Sequence, residues 1–87
     1  MLTVQRMIEW RGNVPKSDQI ADAIRARIAD GTYEPDKRVP SEHELVTEFD
    51  VARGTARKAL EKLRATGDIY SVRGLGHFVS PPGQLAQ

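Results

Sequence analysis

Residues 51 to 67 read V-A-R-G-T-A-R-K-A-L-E-K-L-R-A-T-G, and this stretch decides how the rest of the chain is read. Wound at about 100° per residue, it places Ala56, Ala59, Leu60 and Leu63 on one stripe, the pattern of a helix with one face for burial. The rest of its surface is one-sided in charge: Arg53, Arg57, Lys58, Lys62 and Arg64 face a single anion, Glu61. Arg53, Arg57 and Arg64 fall on one edge, while Thr55, Lys58 and Lys62 fall on the other. Gly54 lies between them, where the absent side chain lets a ligand surface come close. A polar face of this kind suits phosphate. Charge alone does not separate such a helix from an ordinary solvated one, so the flanking segments carry the decision.

Upstream, Ser41-Glu42-His43-Glu44 is a capping box, in which the Ser41 hydroxyl and the Glu44 carboxylate each serve the other residue's backbone N–H. A helix starts there, with Leu45, Val46 and Phe49 on its buried face and Asp50 at its end. Between Phe49 and Arg53 there is room only for a tight turn, plugged by Val51, so the two helices are spaced as a helix-turn-helix. Further upstream, Ile20, Ile24 and Ile28 repeat every fourth residue. They predict a first helix after Pro15, capped by Ser17 or Asp18 and ended by Gly31. Thr32 to Val39 reads as a turn through Pro35-Asp36 and a brief extended piece at Lys37 to Val39.

Downstream of Gly67 the period changes to that of strands. Asp68 to Arg73 and His77 to Val79 flank Gly74-Leu75-Gly76, which predicts a hairpin. With Arg73 at the base of its two-glycine tip, the hairpin reads either as a plain structural element or as a wing lying on a nucleic-acid backbone or minor groove. A nucleotide-phosphate loop is not supported, because no helix follows the Gly-x-Gly. Residues 80–87, with Pro81-Pro82-Gly83, look like a linker or tail. Residues 1–14 form an extension in which Met7 and Trp10 either fold back over the small core or offer a surface for self-association.

The composition sets limits. A chain of 87 residues is one small domain that buries only about 60% of its unfolded surface. The absence of cysteine excludes disulfides and thiolate metal sites. Nothing resembles a membrane span or a signal peptide, so a cytoplasmic protein with no membrane partner is expected. The formal net charge is only +1, yet it is unevenly placed: residues 41 to 50 sum to −4 and residues 51 to 66 to +4. The two histidines, His43 and His77, are not accompanied by a nucleophile and base at a pocket-forming spacing. No enzyme, cofactor or metal is expected.

Together the parts resemble the winged helix-turn-helix domain of the GntR family of bacterial transcription regulators. The resemblance runs over residues 15 to 79 and is carried by Gln19-Ile20-Ala21, Gly31, Pro35, Arg38-Val39-Pro40-Ser41-Glu42, Glu44-Leu45, Phe49, Val51, Arg53-x-Thr55-x-Arg57, Ala59-Leu60, Leu63, Gly67, Gly74-x-Gly76 and Phe78-Val79. It implies a mainly α fold, three helices plus a small antiparallel β-hairpin, that binds double-stranded operator DNA as a repressor. It also implies a homodimer at least on DNA, an inverted-repeat operator, and an effector site outside this chain. The implied DNA-binding residues are Ser41, His43, Arg53, Gly54, Thr55, Arg57 and Lys58, with Arg73, Gly74, Gly76 and His77 in the wing. Departures from the family pattern are Ala52 and Gly54 where hydroxyl residues are common, His43 where Arg is frequent, and Asp36 in place of Gly. A winged-helix module binding an acidic protein partner is the alternative. The reading requires Arg53 and Arg57 to face outward together, and internal ion pairs locking both side chains would defeat it.

Overall fold

A computed structural model describes residues 10–81. Three helices, α1 (Lys16–Ala29), α2 (Glu42–Phe49) and α3 (Arg53–Ala65), are followed by strands β1 (Ile69–Val72) and β2 (Gly76–Val79). Their order is the one expected. Ile20, Ile24, Leu45, Leu63 and Val79 are the largest fully buried side chains, and burying each contributes about 1.5 to 3 kcal/mol. Around them close Ala21, Val39, Phe49, Ala56, Ala59, Leu60 and Ile69. The four apolar positions of the α3 stripe are therefore all in the core.

The start of α1 differs from expectation. Its N-cap is Pro15, which offers no side-chain cap, and the Pro15 carbonyl accepts from the N–H groups of Asp18 at 3.0 Å and Gln19 at 3.2 Å. Proline's fixed φ suits a helix entry, so the helix begins before either predicted cap can serve. Ser17 is instead buried, and Asp18 is drawn to Lys62, whose Nζ lies 2.8 Å from its carboxylate. Gly31 takes up the left-handed conformation (φ 88°) just beyond the helix end, as its placement predicted.

The capping box of α2 is complete. Glu44 N donates to Ser41 Oγ at 3.1 Å, and Ser41 N donates to Glu44 Oε1 at 2.8 Å. Asp50 ends the helix in the left-handed region, φ 54°, a conformation that short polar side chains tolerate. Val51 then packs against the core. The N-cap of α3 is Ala52, with no side-chain hydrogen bond, so the hydroxyl missing from the sequence is missing as a cap.

The hairpin pairs Ile69 with Val79, Tyr70 with Phe78, Ser71 with His77 and Val72 with Gly76. The first strand is shorter than the predicted Asp68 to Arg73, and the second begins one residue early, at Gly76. A further pairing lay outside the sequence reading. The extended piece before Pro40 joins β2 through an Arg38–Phe78 bridge, with Val39 N donating to His77 O and Val79 N to Lys37 O, both at 2.9 Å. Asp36, at φ 64°, turns the chain into this pairing and accepts a hydrogen bond from the Tyr70 hydroxyl at 2.8 Å. The wing is thus bonded to the segment that leads into α2.

Two surface networks fix the helices. Arg25 of α1 reaches Asp68 at 2.8 Å and Asp22 at 2.9 Å, clamping α1 to the turn after α3. Arg27 pairs with Glu48 of α2 and donates to the Tyr33 hydroxyl at 2.7 Å. Residues 11 to 14 are held by Gln19, whose side chain accepts from Arg11 N at 3.0 Å and donates to Arg11 O at 3.0 Å and Val14 O at 2.8 Å. The Trp10 ring lies tilted against Phe49 at 6.4 Å between centroids, so this part of the extension does fold back over the core edge. Met7 lies outside the described residues.

Candidate nucleic-acid interface

Arg53 and Arg57 occupy the first and second turns of α3 and point away from the stripe formed by Ala56, Ala59, Leu60 and Leu63. Their side chains keep 67% and 59% of their surface exposed, so neither is sequestered in the interior. They do share a partner. Arg57 Nε donates to Glu42 Oε2 at 2.9 Å, its Nη2 lies 3.5 Å from Oε1, and Arg53 Nε lies 3.5 Å from the same oxygen. The pairing sits at the surface, where water screens it. Hydrogen bonding from Arg57 holds the Glu42 carboxyl below the usual carboxylate range, and the same contact raises Arg57.

The other expected contact residues fall into three groups. Gly54 and Lys58 are exposed on the outward face of α3, whereas Thr55 is half-buried. A Cβ added at Gly54 would meet nothing within 4 Å, so the fold itself does not require glycine there. Ser41 and His43 lie at the start of α2, His43 exposed and Ser41 half-buried. Since the Ser41 oxygen accepts from Glu44 N, its hydroxyl proton remains available to a phosphate. Lys62, counted on sequence among the phosphate-facing cations, has a surface ion-pair partner that the sequence did not show. Its ammonium group turns to Asp18 on α1, because the α1–α3 packing places an anion beside it.

The wing forms the third group. Arg73, Gly74 and Leu75 are exposed at its tip, and His77 is half-buried on β2. Burial holds the His77 imidazole below its ordinary pKa, with Arg64 acting in the same direction and Glu42 opposing. Arg64 stands in the last turn of α3 and Glu42 opens α2, so His77, one pair from the hairpin tip, lies within reach of both charges. A residue outside the expected contact set also lies beside the wing. A Cβ on Gly76 would lie 3.1 Å from Arg38 Nε, so the Arg38 side chain lies over the wing backbone while remaining exposed. The signal was available in the alternation of Arg38 with buried Val39, but only the strand pairing with Phe78 aims it at the wing.

The model of the bacterial regulatory proteins of the gntR family matches residues 16–79. The chain belongs to the GntR family. Among curated GntR-like relatives, the arabinose metabolism transcriptional repressor of Geobacillus stearothermophilus is 39% identical over 69 residues, which are 79% of this chain and 19% of that protein. Among solved structures, a GntR family transcriptional regulator from Listeria monocytogenes superposes with a TM-score of 0.81 at 32% identity, covering 90% of this chain and 69% of that one. The DNA-binding domain of AraR, solved in complex with operator ORR3, gives a TM-score of 0.75 at 38% identity, covering 84% of this chain and 88% of that one. The GntR chain described here therefore has the winged helix-turn-helix fold, and it spans about a fifth to a third of the length of its curated relatives.

Proposed function

We propose that this chain is the DNA reader of a bacterial transcription repressor, with α3 entering the major groove and the wing following the adjacent minor groove. The observation that carries the reading is the paired exposure of Arg53 and Arg57 on the first two turns of α3, in a helix-turn-helix that is followed directly by a two-stranded hairpin. Arg53 and Arg57 are the base readers, since a guanidinium donates two hydrogen bonds to guanine O6 and N7. Gly54, Thr55 and Lys58, with Ser41 and His43 at the start of α2, position the phosphate backbone. Arg73, Gly74, Gly76 and His77 contact the minor groove, and Arg38 adds charge beside Gly76. The likeness to AraR bound to its operator supports double-stranded DNA as the partner.

Residues 15–79 form the reader, 1–14 an extension and 80–87 a linker or tail. Two copies reading an inverted repeat is the arrangement that a two-fold operator favours. Such a protein acts in the cytoplasm and needs no catalytic group. The outward face of α3 presents Arg53, Gly54, Arg57, Lys58, Glu61 and Arg64 with no large apolar side chain, which favours nucleic acid over a protein partner.

Selection from a random duplex pool, followed by an anisotropy titration across salt, tests the proposal. Neutralising about four phosphates per subunit gives a slope of log K against log salt near −0.9 per phosphate. Failure to enrich any sequence, or binding insensitive to salt, refutes it.

A further inference from the structure

We infer that Glu42 is a positioning residue for sequence discrimination: it grips one edge of the Arg57 guanidinium and thereby presents the opposite edge to a base. This deepens the proposed function, because it rests on Arg57 being a base reader. A guanidinium has two usable edges, one formed by Nε with a terminal nitrogen and one formed by the two terminal nitrogens. Glu42 takes the first edge, at 2.9 Å from Nε and 3.5 Å from Nη2. The end edge is left open on a side chain that is more than half exposed, and two parallel N–H groups there match guanine O6 and N7.

The grip itself is fixed. Glu42 is the first residue of α2, and the reciprocal Ser41–Glu44 hydrogen bonds lock the backbone on either side of it. An arginine held in this way has less side-chain freedom to lose when it meets a base. Arg53 stands farther from the carboxylate, at 3.5 Å, so the effect falls chiefly on Arg57. Glu42 also places a negative charge at a surface meant for phosphate. A residue present only to raise affinity would have the opposite sign, whereas a positioning residue exchanges general affinity for discrimination.

The test uses the 87-residue chain, the duplex recovered by pool selection and a shuffled duplex of the same composition, with the ratio of their Kd values at fixed salt as the readout. Glu42→Gln keeps size and removes charge, while Glu42→Asp keeps charge and shortens reach by one methylene. Both are expected to lower the ratio about tenfold, part of the discrimination carried by a bidentate arginine–guanine pair. Glu42→Gln should also bind the shuffled duplex more tightly. In an Arg57→Ala background neither substitution should change the ratio further. Folding of each variant is checked by circular dichroism.

If Glu42→Gln tightens both duplexes equally, or Glu42→Asp leaves the ratio intact, the carboxylate is only a competing charge and the inference is overturned. The inference also falls if Glu42→Gln lowers the ratio as strongly when Arg57 is absent. If Arg57→Ala itself leaves the ratio unchanged, the base-reading assignment fails, and the positioning role fails with it.

Discussion

Replacing Gly76 by alanine should loosen the wing, and the cost can be worked from two features of that residue. Its φ is 115°, a conformation that an L side chain adopts only under strain of about 1 to 3 kcal/mol. Its new Cβ would also stand 3.1 Å from Arg38 Nε, so the arginine must shift as well. Arg38 is exposed and flexible, so its displacement adds little to stability and the backbone strain dominates. At about 4 to 8 °C per kcal/mol for a domain of this size, Tm should fall by roughly 4 to 24 °C. Gly54→Ala is the control with the opposite sign. That glycine lies in the first turn of α3 with open space around it, and removing its backbone freedom should add about 0.5 kcal/mol, or roughly 2 to 4 °C. Thermal unfolding followed by far-ultraviolet circular dichroism, with parent and both variants in one buffer, reads both effects. A Gly76→Ala protein that melts within a degree of the parent would refute the strain argument, and a destabilised Gly54→Ala protein would refute the open-space argument.

Lys58→Ala should reduce the salt slope of DNA binding by about one phosphate equivalent, whereas Lys62→Ala, whose ammonium group also pairs with Asp18, should reduce it by less. Anisotropy titrations at several salt concentrations compare the two. Leu63→Ala removes a fully buried side chain of α3 and should cost about 2 to 5 kcal/mol, measured by urea denaturation. Folding holds the His77 imidazole below its ordinary pKa, chiefly by burial, so the folded state resists a proton that the unfolded chain accepts. Its contribution is therefore complete above the unfolded value of about 6.5 and is lost as pH falls through the folded pKa. Between pH 7.5 and 5.5 the parent should lose more Tm than His77→Gln. An equal loss in both would remove the imidazole as the cause.

The sequence by itself determined the architecture, because each element was written in local terms. The α3 stripe at Ala56, Ala59, Leu60 and Leu63 follows helical periodicity, the Ser41–Glu44 capping box is satisfied within one turn, and Gly74-x-Gly76 lies between two runs of strand-forming residues. The charge bias of α3 was equally legible, since it needs only residue identities. Partners more than a few positions apart were not legible, because what brings them together is packing and not spacing. Lys62 looked free until the α1–α3 contact placed Asp18 beside it, and Arg38 looked incidental until its strand joined β2. Glu42 read only as part of the Ser41-Glu42-His43-Glu44 capping segment until the turn through Asp50, Val51 and Ala52 folded its carboxylate onto Arg57. A carboxylate fifteen positions away along the chain meets that guanidinium only after the buried faces of α2 and α3 have closed, and that closure decides which basic groups remain open to a ligand.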